Sequence, residues 1–394
     1  MAAAGTNWQS GKITDEGIVA MQALVGTQRV QLEPWNHTVT ADAIWHFALG
    51  VGDDNPLWLD EQYAAQSPYR EIIAPPPYLY SHTNGPRDPR KTGFTAIETC
   101  FPGVLGLWAK ERWVWNRPVF VGERISGVTG LDSFTVDPPG RFGGRSVTQV
   151  DKCTYKTALG EVVAESYMTI KRFEREQARS NQRYLHRPLA KYTQEDRDRF
   201  AQQYESEAAQ RRGAEPRLLE GTRIGDTVKP ILKGPLTVAN MMGYLMGQGA
   251  PMTTTNRIHN HYLNLFPQTL MVHPETGIAE NYEAPHWDPH FAKLSGLAAG
   301  YDFGSQRCSW FAHLATDWAG DHGFVTELEM KLIMPNLIGD VQWLKGSIVA
   351  IEHNIATLSL SSKNQLDETT AVATAKVKLP RKGDLTSHLR VRGK

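Results

Sequence analysis

The chain has 394 residues, enough for two domains with full cores, and its 42 Lys+Arg balance 42 Asp+Glu, so no net field draws it to nucleic acid or an anionic membrane. No apolar run reaches membrane-spanning length, and the first nine residues lack the charged-then-apolar pattern of a signal peptide. Cys100, Cys153 and Cys308 are scattered and odd in number, which excludes a disulfide framework and a metal-ligand spacing and predicts a soluble, cytoplasmic globular protein.

Residues 15–24 read as a short helix in a loosely tied start, and 29–32 as a strand before Pro34. Thr40 has N-cap chemistry with Asp42 in the first turn, and Ile44, Ala48 and Val51 share one face of the helix that follows. Gly50 and Gly52 read as its end, and Asp53 to Pro56 as a turn. A short helical turn is expected at 63–66. Ala74-Pro-Pro-Pro77 fits neither a helix interior nor a central strand. Residues 110–115, 123–131, 144–157 and 162–173 are rich in β-branched and aromatic residues, with a hairpin turn at Leu159-Gly160-Glu161. One helix followed by four or five antiparallel strands predicts a sheet wrapped around a single central helix.

Residues 174–221 change character. Thr193 with Asp196 makes a capping-box start to a polar helix over 194–212, closed by Gly213. The plan then repeats. Residues 222–234 lead into a helix after Thr237, an additional apolar helix is expected at 305–318, and strands at 324–333, 341–352, 356–363 and 370–379. The tail, 380–394, is basic.

The repeat is visible residue by residue. Thr40, Phe47, Gly50 and Gly52 recur as Thr237, Tyr244, Gly247 and Gly249, all 197 positions on. Trp58-Leu-Asp60, Tyr63-Ala64 and Ser67 recur as His286-Trp-Asp288, Phe291-Ala292 and Ser295, 228 positions on, so the second copy carries 31 extra residues between Gly249 and His286. Pro118-Val-Phe-Val-Gly122-Glu123 recurs as Pro335-Asn-Leu-Ile-Gly339-Asp340. A period this long is a duplicated domain, not a solenoid.

The stretch Phe47-Ala-Leu-Gly-Val-Gly-Asp53-Asp-Asn55-Pro56-Leu-Trp58-Leu-Asp60 resembles the signature of the MaoC-like, (R)-specific enoyl-CoA hydratases and dehydratases, roughly G-D-x-N-P-[LIV]-H followed by an Ala and then a His-Gly. The resemblance implies an α+β, double-hotdog fold. Each hotdog is an antiparallel sheet wrapped around a central helix. The expected boundaries are an N-terminal hotdog of FAS1-like dehydratase type over 1–175, a helical linker over 176–221, and a C-terminal hotdog over 222–394 with an insertion at 250–285. The implied activity is that of a hydro-lyase, adding water to a 2-enoyl thioester or removing it from a 3-hydroxyacyl one. The acyl-CoA is the substrate, and neither cofactor nor metal is needed. Fusion removes the need for a homodimer to build the hotdog pair, and fused copies can still associate as a homo-oligomer. Fused members often keep only one working half.

The family chemistry needs a His and an Asp to hold and activate the water, an Asn to orient it, and a backbone N–H at a helix start for the oxygen that becomes enolate-like. In the first half Asp53 and Asn55 match, but the His position is Trp58, and the glycine expected eighteen residues on is Pro76, which has no N–H. Asp53 and Asn55 then read as a remnant, a turn held by side-chain bonds to the backbone. In the second half His286 fills the His position, Gly304 lies eighteen residues on, and Asp288 and Ala292 keep the family spacing. In direct register the Asp and Asn become Ala250 and Met252; counting back from His286 puts Asn281 and Glu283 there instead. Glu283 is therefore the candidate acid, with Glu280 and Asp302 behind it. His286, Asp288 and His290 could form a metal site on paper, but the resemblance implies none. His259 and His261, with Arg257 in the insertion, are candidates for a phosphate or CoA contact, or a solvated loop. A thioesterase, and a non-catalytic acyl-CoA-binding subunit, are the alternative functions.

Overall fold

The computed structural model describes residues 11–85, 99–138, 144–174, 184–250 and 253–390. The first residues of the chain, the start of the linker, Met252 in the insertion and the end of the tail lie outside them.

Ten strands form one antiparallel sheet. In chain order they are β1 (Arg29–Val30), β2 (Leu105–Trp115), β3 (Ile125–Asp137), β4 (Ser146–Thr157), β5 (Val162–Phe173) and β6 (Thr227–Lys233), then β9 (Phe324–Leu332), β10 (Gln342–Glu352), β11 (Ile355–Lys363) and β12 (Thr369–Lys378). A separate hairpin, β7 (Met271–Val272) with β8 (Ala279–Glu280), lies in the insertion. The sheet order is β1-β3-β4-β5-β2-β9-β12-β11-β10-β6. It reads the same from both ends once each strand is exchanged for its repeat, and the exchange centres on the β2–β9 seam. There Arg112 pairs with Glu329, its own counterpart 217 positions on. Arg112 also donates to Glu327 at 2.8 Å, bridging the two halves.

Among the described residues the α-helices with full bounds are α1 (Asp15–Gln22), α2 (Ala41–Val51), α3 (Pro56–Leu59), α4 (Glu61–Gln66), α5 (Gln194–Gln210), α6 (Val238–Gln248), α7 (Asn256–Leu265), α8 (Pro289–Leu294) and α9 (Gly304–Ala319). Thr40 and Thr237 cap α2 and α6 through their hydroxyls, as their chemistry predicts. The capping box of Thr193 and Asp196 opens α5.

Two expectations need correction. Gly50 does not end α2; it lies inside it. A Cβ there would come within 2.7 Å of the Gly243 carbonyl oxygen, and one on Gly247 within 2.7 Å of the His46 carbonyl oxygen. The two glycines let α2 and α6 cross backbone to backbone about the same pseudo-dyad. Gly52 ends the helix, in the left-handed conformation at φ 67°. Nor is the helix after Thr40 the one that the sheet wraps. That is α9, which touches β2, β6, β9, β10 and β12 and is buried along nearly its whole length. Its counterpart in the first half is a 3-10 helix, Pro76–His82, whose two leading prolines occupy the first turn, where a missing N–H costs nothing.

The repeat offsets hold in space. Ile73 bridges Phe120 as Tyr301 bridges Leu337. Gly122 donates to the Val39 carbonyl as Gly339 does to Leu236, and both glycines have positive φ, 88° and 94°.

One buried acid breaks the symmetry. Glu111 on β2 corresponds to Leu328 and is 1 % exposed. The Tyr80 hydroxyl donates to it at 2.5 Å and the Trp113 indole at 2.8 Å. Burial pushes its carboxyl up to about 8, against the pull of those donors.

Candidate active site

His286 is presented by a single 3-10 turn, Ala284–His286, between the insertion and α8. Its Nδ1 lies 2.8 Å from the Tyr301 carbonyl oxygen. A carbonyl only accepts, so Nδ1 carries the hydrogen and Nε2 presents a lone pair. That lone pair faces Glu283 Oε2 at 3.3 Å, the side chains being 13 % and 18 % exposed. Burial pushes the imidazole down to about 4. The ring sits between Tyr301 and Phe303, with both ring centroids 4.1 Å away.

Phe303 is the residue before α9, and no side chain caps that helix. The amides of its first turn, Gly304 among them, therefore point out of the helix with its positive end behind them. Trp108 of β2 packs over the Gly304 Cα; an added Cβ would meet the Trp108 Cγ at 2.4 Å. The N-terminal half thus reaches across the seam to the start of α9. Trp108 was not legible as a neighbour of Gly304, because only the β2–β9 pairing brings them together.

The other sequence candidates are engaged elsewhere. Asp288 accepts from the His290 and Phe291 amides and caps α8, as Asp60 caps α4, so it is a helix cap and not a partner of His286. Asn281 accepts from the Glu283 amide at 2.8 Å, the same turn that Asp53 makes with the Asn55 amide at 3.1 Å. Asp302 is held by Arg307 at 2.6 and 2.8 Å and by Asn336, in a buried lattice that fixes the entry to α9. Glu280 lies in the β7–β8 hairpin opposite Met271. Met271 packs on Ala284 and Phe291, which seats part of the insertion beside the His286 turn. His259 and His261 lie on α7.

In the first half Asp53 accepts from the Trp58 indole at 3.0 Å, and Asn55 caps α3 through the Leu57 amide. Asp53 also lies 3.5 Å from His313 of α9, which is 3.2 Å from Asp317. Lys233 donates to the Val51 and Gly52 carbonyls at the end of α2 and approaches His313 Nδ1 at 2.8 Å. Arg211 pairs with Asp317 and Asp54. Burial works to raise the Asp317 carboxyl, but His313 and Arg211 hold it below the ordinary range. Asp53, His313 and Asp317 bring ligand-type atoms within 4.8 Å of one another, the one such group among the described residues. Lys233 and Arg211 already supply the positive charge there, so the group is an ion-pair lock between the halves. The paper site of His286, Asp288 and His290 is not assembled.

Residues 23–166 match the family described as the FAS1-like, dehydratase domain region. A probable enoyl-CoA hydratase alpha subunit of Thermomonospora curvata is 26% identical over 164 residues, covering 39% of this chain and 50% of that one. Among solved structures, a MaoC-like dehydratase superposes with a TM-score of 0.62 at 17% identity, over 91% of this chain and 99% of that one. A double-hotdog protein of Mycobacterium tuberculosis gives 0.53 at 13% identity, over 90% and 96%. The chain is a double hotdog, it resembles the MaoC-like dehydratases, and its first half carries the FAS1-like dehydratase region.

Proposed function

We propose that the C-terminal half hydrates a 2-enoyl thioester, or dehydrates the 3-hydroxyacyl product, with His286 and Glu283 as the acid–base pair. The observation that carries this reading is the 3.3 Å pair beside the uncapped start of α9. Water held by His286 Nε2 and the Glu283 carboxylate loses a proton to the pair as its oxygen bonds to C3. The pair returns a proton to C2. Between these events negative charge gathers on the thioester oxygen, and the Gly304 N–H with the helix end behind it stabilises that charge.

The test is steady-state turnover of crotonyl-CoA, followed as loss of the enoyl absorbance with free thiol measured in parallel. His286→Ala should lower the rate by roughly a hundredfold or more. Glu283→Gln should fall nearly as far, and the double variant should be little worse than either, because the two act as a unit. Full activity in Glu283→Gln would sink the assignment, and release of thiol would indicate hydrolysis instead. A second reading, a non-catalytic acyl-CoA binder, is favoured by Asn281, a neutral amide where the family has its Asp. Binding of crotonyl-CoA without turnover would support it.

A further inference from the structure

The two strands of the seam carry the same bulge. On β2, Trp108 pairs with Ile170 and Lys110 with Thr169, so Ala109 is an extra residue. On β9, Val325 pairs with Val377 and Glu327 with Lys376, so Thr326, the residue 217 positions on from Ala109, is extra there. A bulge re-aims side chains, and bulges gather next to functional sites. On β2 the effect shows in burial. Glu111, Trp113 and Trp115 face inward, and strict alternation would turn Ala109 inward as well. The bulge turns Trp108 in instead, onto the core and the Gly304 Cα.

Val325, the counterpart of Trp108, is also buried. It lines a small cavity with Trp58, Pro75 and Pro76, the counterparts of His286, Phe303 and Gly304. By that symmetry the indole stands where the first half, with a smaller side chain, keeps open space. The indole nitrogen is shut off from solvent. Tyr80 stands edge-on to the ring, 6.5 Å between centroids, and its own hydroxyl is held by Glu111. Trp108 is therefore an inner wall, and it is braced. The His286 and Glu283 side chains are 13 % and 18 % exposed, so the site opens on their side. A CoA moiety is large and polyanionic and stays on the open side, and the acyl chain leaves the thioester the other way. A thioester oxygen accepting from the Gly304 N–H lies about 3 Å from that nitrogen. An acyl chain running inward from it meets the indole.

We infer that Trp108, lent by the first half, restricts the second half's site to 2-enoyl-CoA substrates with short acyl groups. The inference rests on the hydration proposed above and names its substrate class. The unmodified chain is assayed for hydration of crotonyl-CoA and of trans-2-decenoyl-CoA. kcat/KM should be about a hundredfold or more lower for the decenoyl ester, since a single methylene in a pocket is worth about tenfold or more. Trp108→Ala removes the wall. Its kcat/KM for the decenoyl ester should rise about tenfold or more, mainly through KM, with no gain for crotonyl-CoA. Damage to packing alone would lower both substrates together, so the change of preference is the readout that a structural role would not move. If Trp108→Ala does not fold by circular dichroism, Trp108→Phe, which keeps a smaller ring against Gly304, should raise the decenoyl ester by a smaller factor. Comparable kcat/KM for the two esters on the unmodified chain, or an unchanged preference in the folded variant, would overturn the inference and leave hydration standing. Failure to turn over either ester would overturn the hydration reading, and this inference with it.

Discussion

Glu111→Gln isolates the effect of burying an acid at the seam. The folded carboxyl holds its proton up to about 8, against 4.5 for an ordinary glutamate. Between those two values the folded chain binds a proton that the unfolded chain has released, so stability falls as pH rises. The contribution is fully present below pH 4.5 and lost once pH passes the folded value. At about 1.4 kcal/mol per pH unit the window amounts to roughly 5 kcal/mol. Glutamine has nearly the same shape and no proton to lose. It keeps an acceptor for Trp113 and gives Tyr80 a donor. Paired urea melts of the two proteins at each pH cancel every other titrating group, and any fixed cost of the amide is a constant offset. The unfolding free energy of the variant minus that of the parent should therefore grow by about 1.4 kcal/mol per unit between pH 5 and 8, then level off. A difference that stays flat across that range would refute the claim that burial holds the proton on Glu111.

Three further outcomes are expected. Gly304→Ala should destabilise through its collision with Trp108, and Trp108→Ala should relieve part of that cost; a double-mutant cycle with strictly additive melting free energies would show that the two do not touch. Trp58→His in a His286→Ala background should restore no hydration of crotonyl-CoA, because Pro76 still has no N–H to give; recovered turnover would contradict the oxyanion argument. Because burial holds His286 unprotonated down to about 4, kcat/KM should be level from neutral pH to about pH 5 and decline below, as the base is lost; an acidic limb near 6.5 would mean an exposed, ordinary imidazole.

The duplication was legible because its markers are local. An N-cap threonine, a capping aspartate and a positive-φ glycine each act within a few residues, so Thr40 and Thr237, Asp60 and Asp288, and Gly122 and Gly339 carry the same signal at both sites. The strands were legible for the same reason, the short β1 within 29–32 among them, apart from the seven-residue β6, whose pattern Pro230 interrupts, and the two-residue β7 and β8 in the insertion. Contacts that depend on the second half folding against the first were not legible. Gly50 reads as a helix end until α6 is laid across it. Asp53 reads as part of a turn until α9 brings His313 to it. The wrapped helix was misassigned because α2 and α9 are both apolar, and burial inside a sheet has no signature in the periodicity of the helix itself. Glu283 became the candidate acid by counting the family spacing back from His286, and the 3-10 turn that joins them sets the two side chains 3.3 Å apart.

The β2–β9 seam has a consequence for any attempt to divide the chain. Five residue pairs join there, in the middle of a ten-stranded sheet. Either half made alone would present that strand as a long open edge, carrying Trp113 or Leu328, and the first half would leave Arg112 without Glu327. Such an edge is a template for pairing with another chain. Separate fragments should aggregate or seek each other, and co-expressed fragments should find the same register, since in it Lys110 reaches Glu329 and Arg112 reaches Glu327, each at 2.8 Å. A nick between the halves would then leave one particle, held by its strands after the peptide link is gone.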